Sequence, residues 1–317
     1  MANVAQRKIT VVGAGYVGMT VAEKCARRDL AREIVLIDVL EGRARGIALD
    51  LNQAAAVEGS GSVVLGTGDE KLSAGSDLFV VTAGLPRKPG MSRSDLLAVN
   101  GKIVVEVASY VRELSPEAIV IVVTNPLDPM AHLMRAKLGF PGRRVVGMAG
   151  VLDSARFSWF LAQATGTSVK DVDAMVLGAH GDSMVPLPNA STVNGLPVTQ
   201  LLDQGTIDEL ALRTKNGGAE IVSLLQTGSA FFAPAASAVA MAASILNDEK
   251  RCLPCACFLN GEYGFEGLYT GVPAVLGRGG VERILEIPLT TEARILLQKA
   301  VGAIEKDVNA LRELGFL

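Results

Sequence analysis

Five short runs in the first half of the chain are almost continuously apolar and rich in Val and Ile: Ile9–Val12, Ile34–Ile37, Leu78–Val81, Ile119–Val123 and Val145–Val146. Runs this short, without polar alternation, are expected of strands covered on both faces. Between the first two, Val17, Val21 and Cys25 recur at the i, i+4, i+8 spacing of one helix face. Between the third and fourth, Leu97, Val104, Val107 and Val111 fall on related helical faces. Strand-helix alternation of this kind predicts an α/β fold built on a doubly wound parallel sheet.

Past residue 150 the rhythm changes. A helix is expected from Asp153 to about Ala164, then a strand over Val172–Leu177, where Val172, Ala174 and Val176 alternate with their neighbours. A polar helix near 206–225, an Ala-rich helix over 230–246, a turn-rich strand region over 253–276 and an amphipathic helix near 290–313 complete a mixed α+β half. No Pro/Gly/Ser-rich linker separates the halves. The pattern therefore predicts two closely packed domains, residues 1–148 and 149–317, with a cleft between them.

Composition narrows the function classes. With 317 residues, 49% apolar content and a net charge of −3, the chain has a large core to bury and no polybasic character. Only 4% of residues are aromatic, and no basic-aromatic stripe offers a stacking surface, so nucleic acid is not an expected partner. The N-terminal segment lacks the apolar core of a secretory signal, and the Ala-rich helix carries Pro234 and is too short to span a bilayer comfortably. A soluble, cytoplasmic protein without a membrane partner is expected. Three of the four cysteines form Cys252-Leu-Pro-Cys255-Ala-Cys257. Neither histidine lies nearby as a further zinc ligand, and the segment leads into a strand, so ordinary reduced cysteines are expected.

Candidate chemistry begins at the first strand-helix turn. Gly13-Ala14-Gly15-Tyr16-Val17-Gly18 is a G-x-G-x-x-G run with a strand before it and a helix after it. Asp38 closes the second strand twenty residues past Gly18. This is the context of a dinucleotide-binding Rossmann turn, in which the pyrophosphate rests on a helix N-terminus. Asp38 would accept hydrogen bonds from ribose hydroxyls and repel a 2′-phosphate. Val39-Leu40 offers no arginine to receive one, which favours NAD over NADP. Asn100, and Val123-Thr124-Asn125 ahead of Pro126, lie at other strand ends, where ligands bind in such sheets.

Directly after Leu78–Val81 comes Thr82-Ala-Gly-Leu-Pro-Arg87-Lys-Pro-Gly-Met-Ser-Arg93. Two guanidinium forks in a Gly/Pro-bracketed loop suit a ligand with more than one oxygen-rich group, and such a loop can act as a lid. Of the two histidines, His132 sits in a helical run and reads as a packing or surface residue. His180 lies in Leu177-Gly-Ala-His-Gly-Asp182, just past a strand, with glycines leaving its imidazole uncrowded for proton transfer. Asp153 and Arg156, at i and i+3, share a helix face.

Together these segments resemble the lactate/malate dehydrogenase family over essentially the whole chain. The likeness is greatest to its lactate-dehydrogenase-like malate dehydrogenases of prokaryotes, with Leu85–Met91 and Thr227–Phe231 at home in that branch. The resemblance implies that His180 is the general base, that Asp153 orients it, and that Arg156 binds the carboxylate beside the reacting carbon. It gives Arg93 the polarisation of the keto oxygen and Asn125 a hydrogen bond to substrate, with no metal. Position 87 meets the distal group of the substrate in this family. Arg87 there implies a dicarboxylate, malate or oxaloacetate, because closing an arginine over the methyl of pyruvate would bury an unpaired charge. The family forms dimers and tetramers, so a homo-oligomer is expected. Lactate dehydrogenase is the nearest alternative, and a catalytically silent NAD-binding protein is the alternative of another class.

Overall fold

A computed structural model describes residues 7–86 and 90–317 of the chain. The first half runs β1 (Lys8–Val12), α1 (Tyr16–Arg27), β2 (Glu33–Ile37), α2 (Glu41–Glu58), β3 (Val63–Thr67), β4 (Leu78–Val81), α3 (Arg93–Leu114), β5 (Ile119–Val122), α4 (Leu127–Leu138) and β6 (Val145–Gly147). These six strands pair in parallel in the order β3-β2-β1-β4-β5-β6. The near-continuous apolar runs have a simple cause. In β4, Leu78 and Val80 enter one core and Phe79 and Val81 enter the other, and β5 divides Ile119 and Ile121 from Val120 and Val122 in the same way.

The second half follows with α5 (Gly150–Thr165), β7 (Val172–Asp173), β8 (Val176–Gly178), β9 (Met184–Pro186), β10 (Thr192–Val193) and β11 (Leu196–Pro197). It continues with α6 (Val198–Leu201), α7 (Gln204–Leu225), α8 (Phe232–Asn247), β12 (Arg251–Asn260), β13 (Glu266–Gly277), β14 (Gly280–Ile284) and α9 (Thr291–Glu313). β12 continues the parallel sheet antiparallel to β6 through the pair Ala256↔Gly147, and β13, β8 and β9 extend it. The two halves thus share one sheet. Glycine permits the junction: a Cβ at Gly147 would lie 2.8 Å from the Ala256 Cβ, and one at Gly150 would lie 2.8 Å from Pro254 and from the Val176 carbonyl.

The strand expected over Val172–Leu177 is broken in two. β7 belongs to a small sheet with β10 and β11, whereas β8 joins the main sheet. Two hydroxyls make the step: Ser191 Oγ accepts from the Met175 amide at 3.1 Å and Ser154 Oγ accepts from the Val176 amide at 3.0 Å. These side chains take backbone hydrogen bonds that a continuous ladder would otherwise supply. The cysteine segment is the strand β12, with Cys255 and Cys257 buried and Cys252 exposed. His132 packs between Phe258 and Tyr269. Among the described residues no helix is long and apolar enough to cross a membrane.

Candidate active site

Polar groups converge at the C-terminal ends of β1, β2, β4 and β5. Gly13 has φ +100°, and a Cβ at Gly18 would stand 1.8 Å from the Gly13 carbonyl oxygen, so the turn closes only with glycine at both positions. Gly15 is the N-cap of α1, has open space beside it and offers no capping side chain. The first-turn amides of α1 are therefore available to an anion, with no acidic residue in that turn to repel one. Asp38 is held at the end of β2: its Oδ2 accepts from the Ala14 amide at 2.6 Å and its Oδ1 from the Leu40 amide at 2.8 Å. Beside it Tyr16, Val39 and Leu40 are large exposed apolar side chains, a surface suited to a nucleoside base. The residues present thus fit a dinucleotide.

One cation at this end went unread in the sequence. Arg43, five residues past Asp38, donates from Nε to the Ala14 carbonyl at 2.8 Å and lies 5.9 Å from the Tyr16 ring centroid. Only the fold brings it back onto the glycine turn.

The other strand ends are sewn to one another. Thr82 Oγ1 donates to the Val12 and Gly13 carbonyls, and Thr124 Oγ1 donates to Ala83 at 2.6 Å. Asn100, 1% exposed, spends its amide within the protein. Its Nδ2 donates to the Asn125 carbonyl at 2.6 Å and to Leu85, and its Oδ1 accepts from the Leu85 amide. Its place is to clamp the segment after β4 to the backbone of Asn125. Val123 is buried, and the Asn125 side chain is exposed.

The catalytic candidates meet through one carboxylate. Asp153, in the first turn of α5 and 1% exposed, presents Oδ2 to His180 Nδ1 at 3.0 Å and Oδ1 to Arg156 Nη1 at 3.3 Å. His180 occupies the turn between β8 and β9, where Gly178 and Gly181 have φ of +81° and +106°. Burial alone would disfavour the imidazolium. The charge of Asp153 and its hydrogen bond overcome that, with Arg156 opposing and Asp128 assisting, so the His180 pKa is raised. With Nδ1–H turned to Asp153, Nε2 is left to exchange a proton.

Arg156 is lowered by its burial, partly offset by Asp153. Its Nε is buried without a hydrogen-bond partner among the described residues, a donor left for an anion. Gly217 and Gly218 of α7 make room for it: a Cβ at Gly217 would stand 3.2 Å from Arg156 Cδ.

Asp128 is a further buried carboxyl that sequence reading passed over. It lies in the first turn of α4, is 3% exposed, and accepts from the His180 amide at 3.0 Å through Oδ2. Burial pushes its pKa up to about 7, against the stabilising pull of the His180 amide. Nothing in its spacing signalled this, because the contact is made across 52 residues.

Arg93 opens α3 and is held by Asp307 of α9, with Nε donating to Oδ1 at 2.8 Å. The structure does not join Arg93 by hydrogen bond to His180, Asp153 or Arg156. Arg87, the residue on which the expected substrate turns, lies outside the described residues.

Two family models match this arrangement: the lactate/malate dehydrogenase NAD binding domain over residues 7–147, and the lactate/malate dehydrogenase alpha/beta C-terminal domain over residues 150–314. The chain belongs to the lactate/malate dehydrogenase family. Among its relatives, the malate dehydrogenase of Roseiflexus sp. (strain RS-1) is 50% identical over 307 residues, covering 97% of this chain and 99% of that protein. The malate dehydrogenase structure from Salinibacter ruber gives a TM-score of 0.93 at 46% identity, covering 97% of this chain and 98% of its own. The lactate dehydrogenase of Cryptosporidium parvum, solved with lactic acid and β-nicotinamide adenine dinucleotide, gives 0.93 at 41% identity, covering 96% and 98%. The Rossmann half followed by an α/β second half is the family arrangement.

Proposed function

We propose that this chain is an NAD-dependent oxidoreductase that interconverts (S)-malate and oxaloacetate. The observation that carries the reading is the Asp153 carboxylate, which holds the proton-transfer group His180 on one oxygen and the anion-binding Arg156 on the other. A base oriented by a buried carboxylate, beside a half-satisfied buried guanidinium, suits a 2-hydroxy acid: one group for the hydroxyl, one for the adjacent carboxylate. NAD, held by Gly13–Gly18 and Asp38, supplies the hydride acceptor when bound.

In this reading His180 Nε2 takes the hydroxyl proton while Asp153 keeps the ring in the Nδ1–H tautomer and stabilises the imidazolium. Arg156 binds the substrate carboxylate, and Arg93 meets the oxygen on which charge develops. Asn125 donates to the substrate, and Arg87 pairs with the distal carboxylate. The 148/149 junction separates a cofactor half from a catalytic half. We further place the protein in the cytoplasm, as a homodimer or homotetramer serving the malate step of the tricarboxylic acid cycle.

The relatives named malate dehydrogenase, at about half identity over nearly the full length, support malate over lactate. The test is NADH oxidation with oxaloacetate and with pyruvate, in the parent chain and in Arg87→Gln. Oxaloacetate is expected to have the higher kcat/KM in the parent, with the gap narrowed by orders of magnitude in the variant. A preference for pyruvate in the parent overturns malate as the substrate, and an unchanged preference in the variant removes Arg87 from the distal group.

A further inference from the structure

Arg93 is fixed at the start of α3 by the Ser92–Asp95 capping box, and its guanidinium grips a residue 214 positions later. Nε meets Asp307 Oδ1 at 2.8 Å and Nη2 meets Oδ2, so the fork is bidentate. The two partners differ in solvent access. The Arg93 side chain is 64% exposed, whereas that of Asp307 is 9% exposed on the buried face of α9. Asp128 and Asp182 add to the negative potential that Arg93 feels.

A bidentate carboxylate uses the donor pair and plane by which a guanidinium recognises a substrate oxygen or carboxylate. While Arg93 is on Asp307, its Nε–Nη2 edge is occupied and the guanidinium is pinned against α9. We propose that Asp307 is a positioning residue that holds Arg93 and competes with the substrate for it. The inference rests on the assignment of Arg93 to the substrate made above. Turning Arg93 to the substrate leaves the Asp307 carboxylate buried without its counter-ion, which opposes substrate binding. The apparent affinity is lowered in proportion to the fraction of Arg93 that is free. Asp307 thereby sets the KM of the reaction from a helix at the far end of the chain.

The experiment is a double-mutant cycle with oxaloacetate and NADH, using Asp307→Asn, Arg93→Gln and both together. Asp307→Asn is expected to lower the KM for oxaloacetate roughly three- to thirty-fold, the range for a partly screened bidentate pair, with the Kd for NADH unchanged. In the Arg93→Gln background the same change should leave KM where it was. Asp307→Glu, which keeps the charge, should return KM toward the parent value. If Asp307→Asn does not fold, Asp307→Thr is read in its place. An unchanged or raised KM in the position-307 variants overturns the proposal, as does a joint fall in Tm and kcat without a fall in KM. If Arg93→Gln alone keeps full kcat/KM, the assignment of Arg93 to the substrate is what fails.

Discussion

At the scale of single residues, the proposed chemistry turns on the two oxygens of Asp153. Because one orients His180 and the other steadies Arg156, Asp153→Asn removes a charge from both. The amide can also present its NH2 to His180 Nδ1 and stabilise the wrong tautomer. We expect kcat to fall by roughly 10³–10⁴-fold, the scale seen when a buried carboxylate behind a catalytic histidine is made neutral. The raised pKa of His180 sets the direction of the pH dependence. With His180 as the proposed base, malate oxidation draws on the neutral ring and should rise as pH passes a pKa above the ordinary 6.5, while oxaloacetate reduction draws on the imidazolium and should fall through the same value. In Asp153→Asn that inflection should move down; a profile in the variant that matches the parent would refute the coupling. Residues such as His180, Asp153 and Asp38 were legible in the sequence because each sits beside a local signal: flanking glycines, helix spacing, the end of a strand. Asp128, Asp307 and Arg43 had no such signal, since their partners are brought to them only by tertiary folding.

At the scale of elements, periodicity recovered most of the long helices and the parallel strands, and it missed α2, β3 and the short elements β9, β10, β11, α6 and β14. α2 buries only Ala44 and Ala48 along its 18 residues, so no apolar stripe betrays it, and β3 buries only Val64 and the polar Thr67. α7 illustrates a different compromise. Its adjacent Gly217 and Gly218 weaken the helix by roughly 0.5–1 kcal/mol each relative to alanine but leave a groove for Arg156. Gly217→Ala should therefore stabilise α7 while displacing Arg156 by a few tenths of an ångström. A KM for oxaloacetate raised about ten-fold with Tm unchanged or higher is expected from a misplacement of that size. Kinetics identical to the parent would show that the groove is not needed. In α4, burial and the nearby Arg135 and Arg312 hold His132 down to about 4. A histidine depressed in the folded state contributes stability that is complete above its unfolded pKa near 6.5 and is lost as pH falls toward 4. His132→Leu should flatten the fall of Tm between pH 6.5 and pH 4.5, and a parallel fall in both proteins would exclude that role.

At the scale of the molecule, the shared sheet is the feature that a linear reading could not supply. Sequence patterns divide the chain near residue 148, yet the strands β6 and β12 make the two parts neighbours in one hydrogen-bonded surface. The packing of α8 against α1 ties the halves again on one face of that sheet. Loss of one half should therefore remove the other. The only tryptophan, Trp159, lies in α5 and reports on the second half, while NADH binding reports on the first half. Under urea the two signals are expected to disappear at the same midpoint. Midpoints separated by more than their errors would mean that the halves melt independently.

Asp153 carries one more consequence, for anyone wishing to redirect the chain to a different 2-hydroxy acid. In the proposed reading its two oxygens couple turnover to substrate anchoring, so position 153 offers no independent handle on either. Position 307 pairs with Arg93 instead, and in the proposed reading a library built on positions 87 and 307 would vary what is recognised while the acid–base pair stays intact.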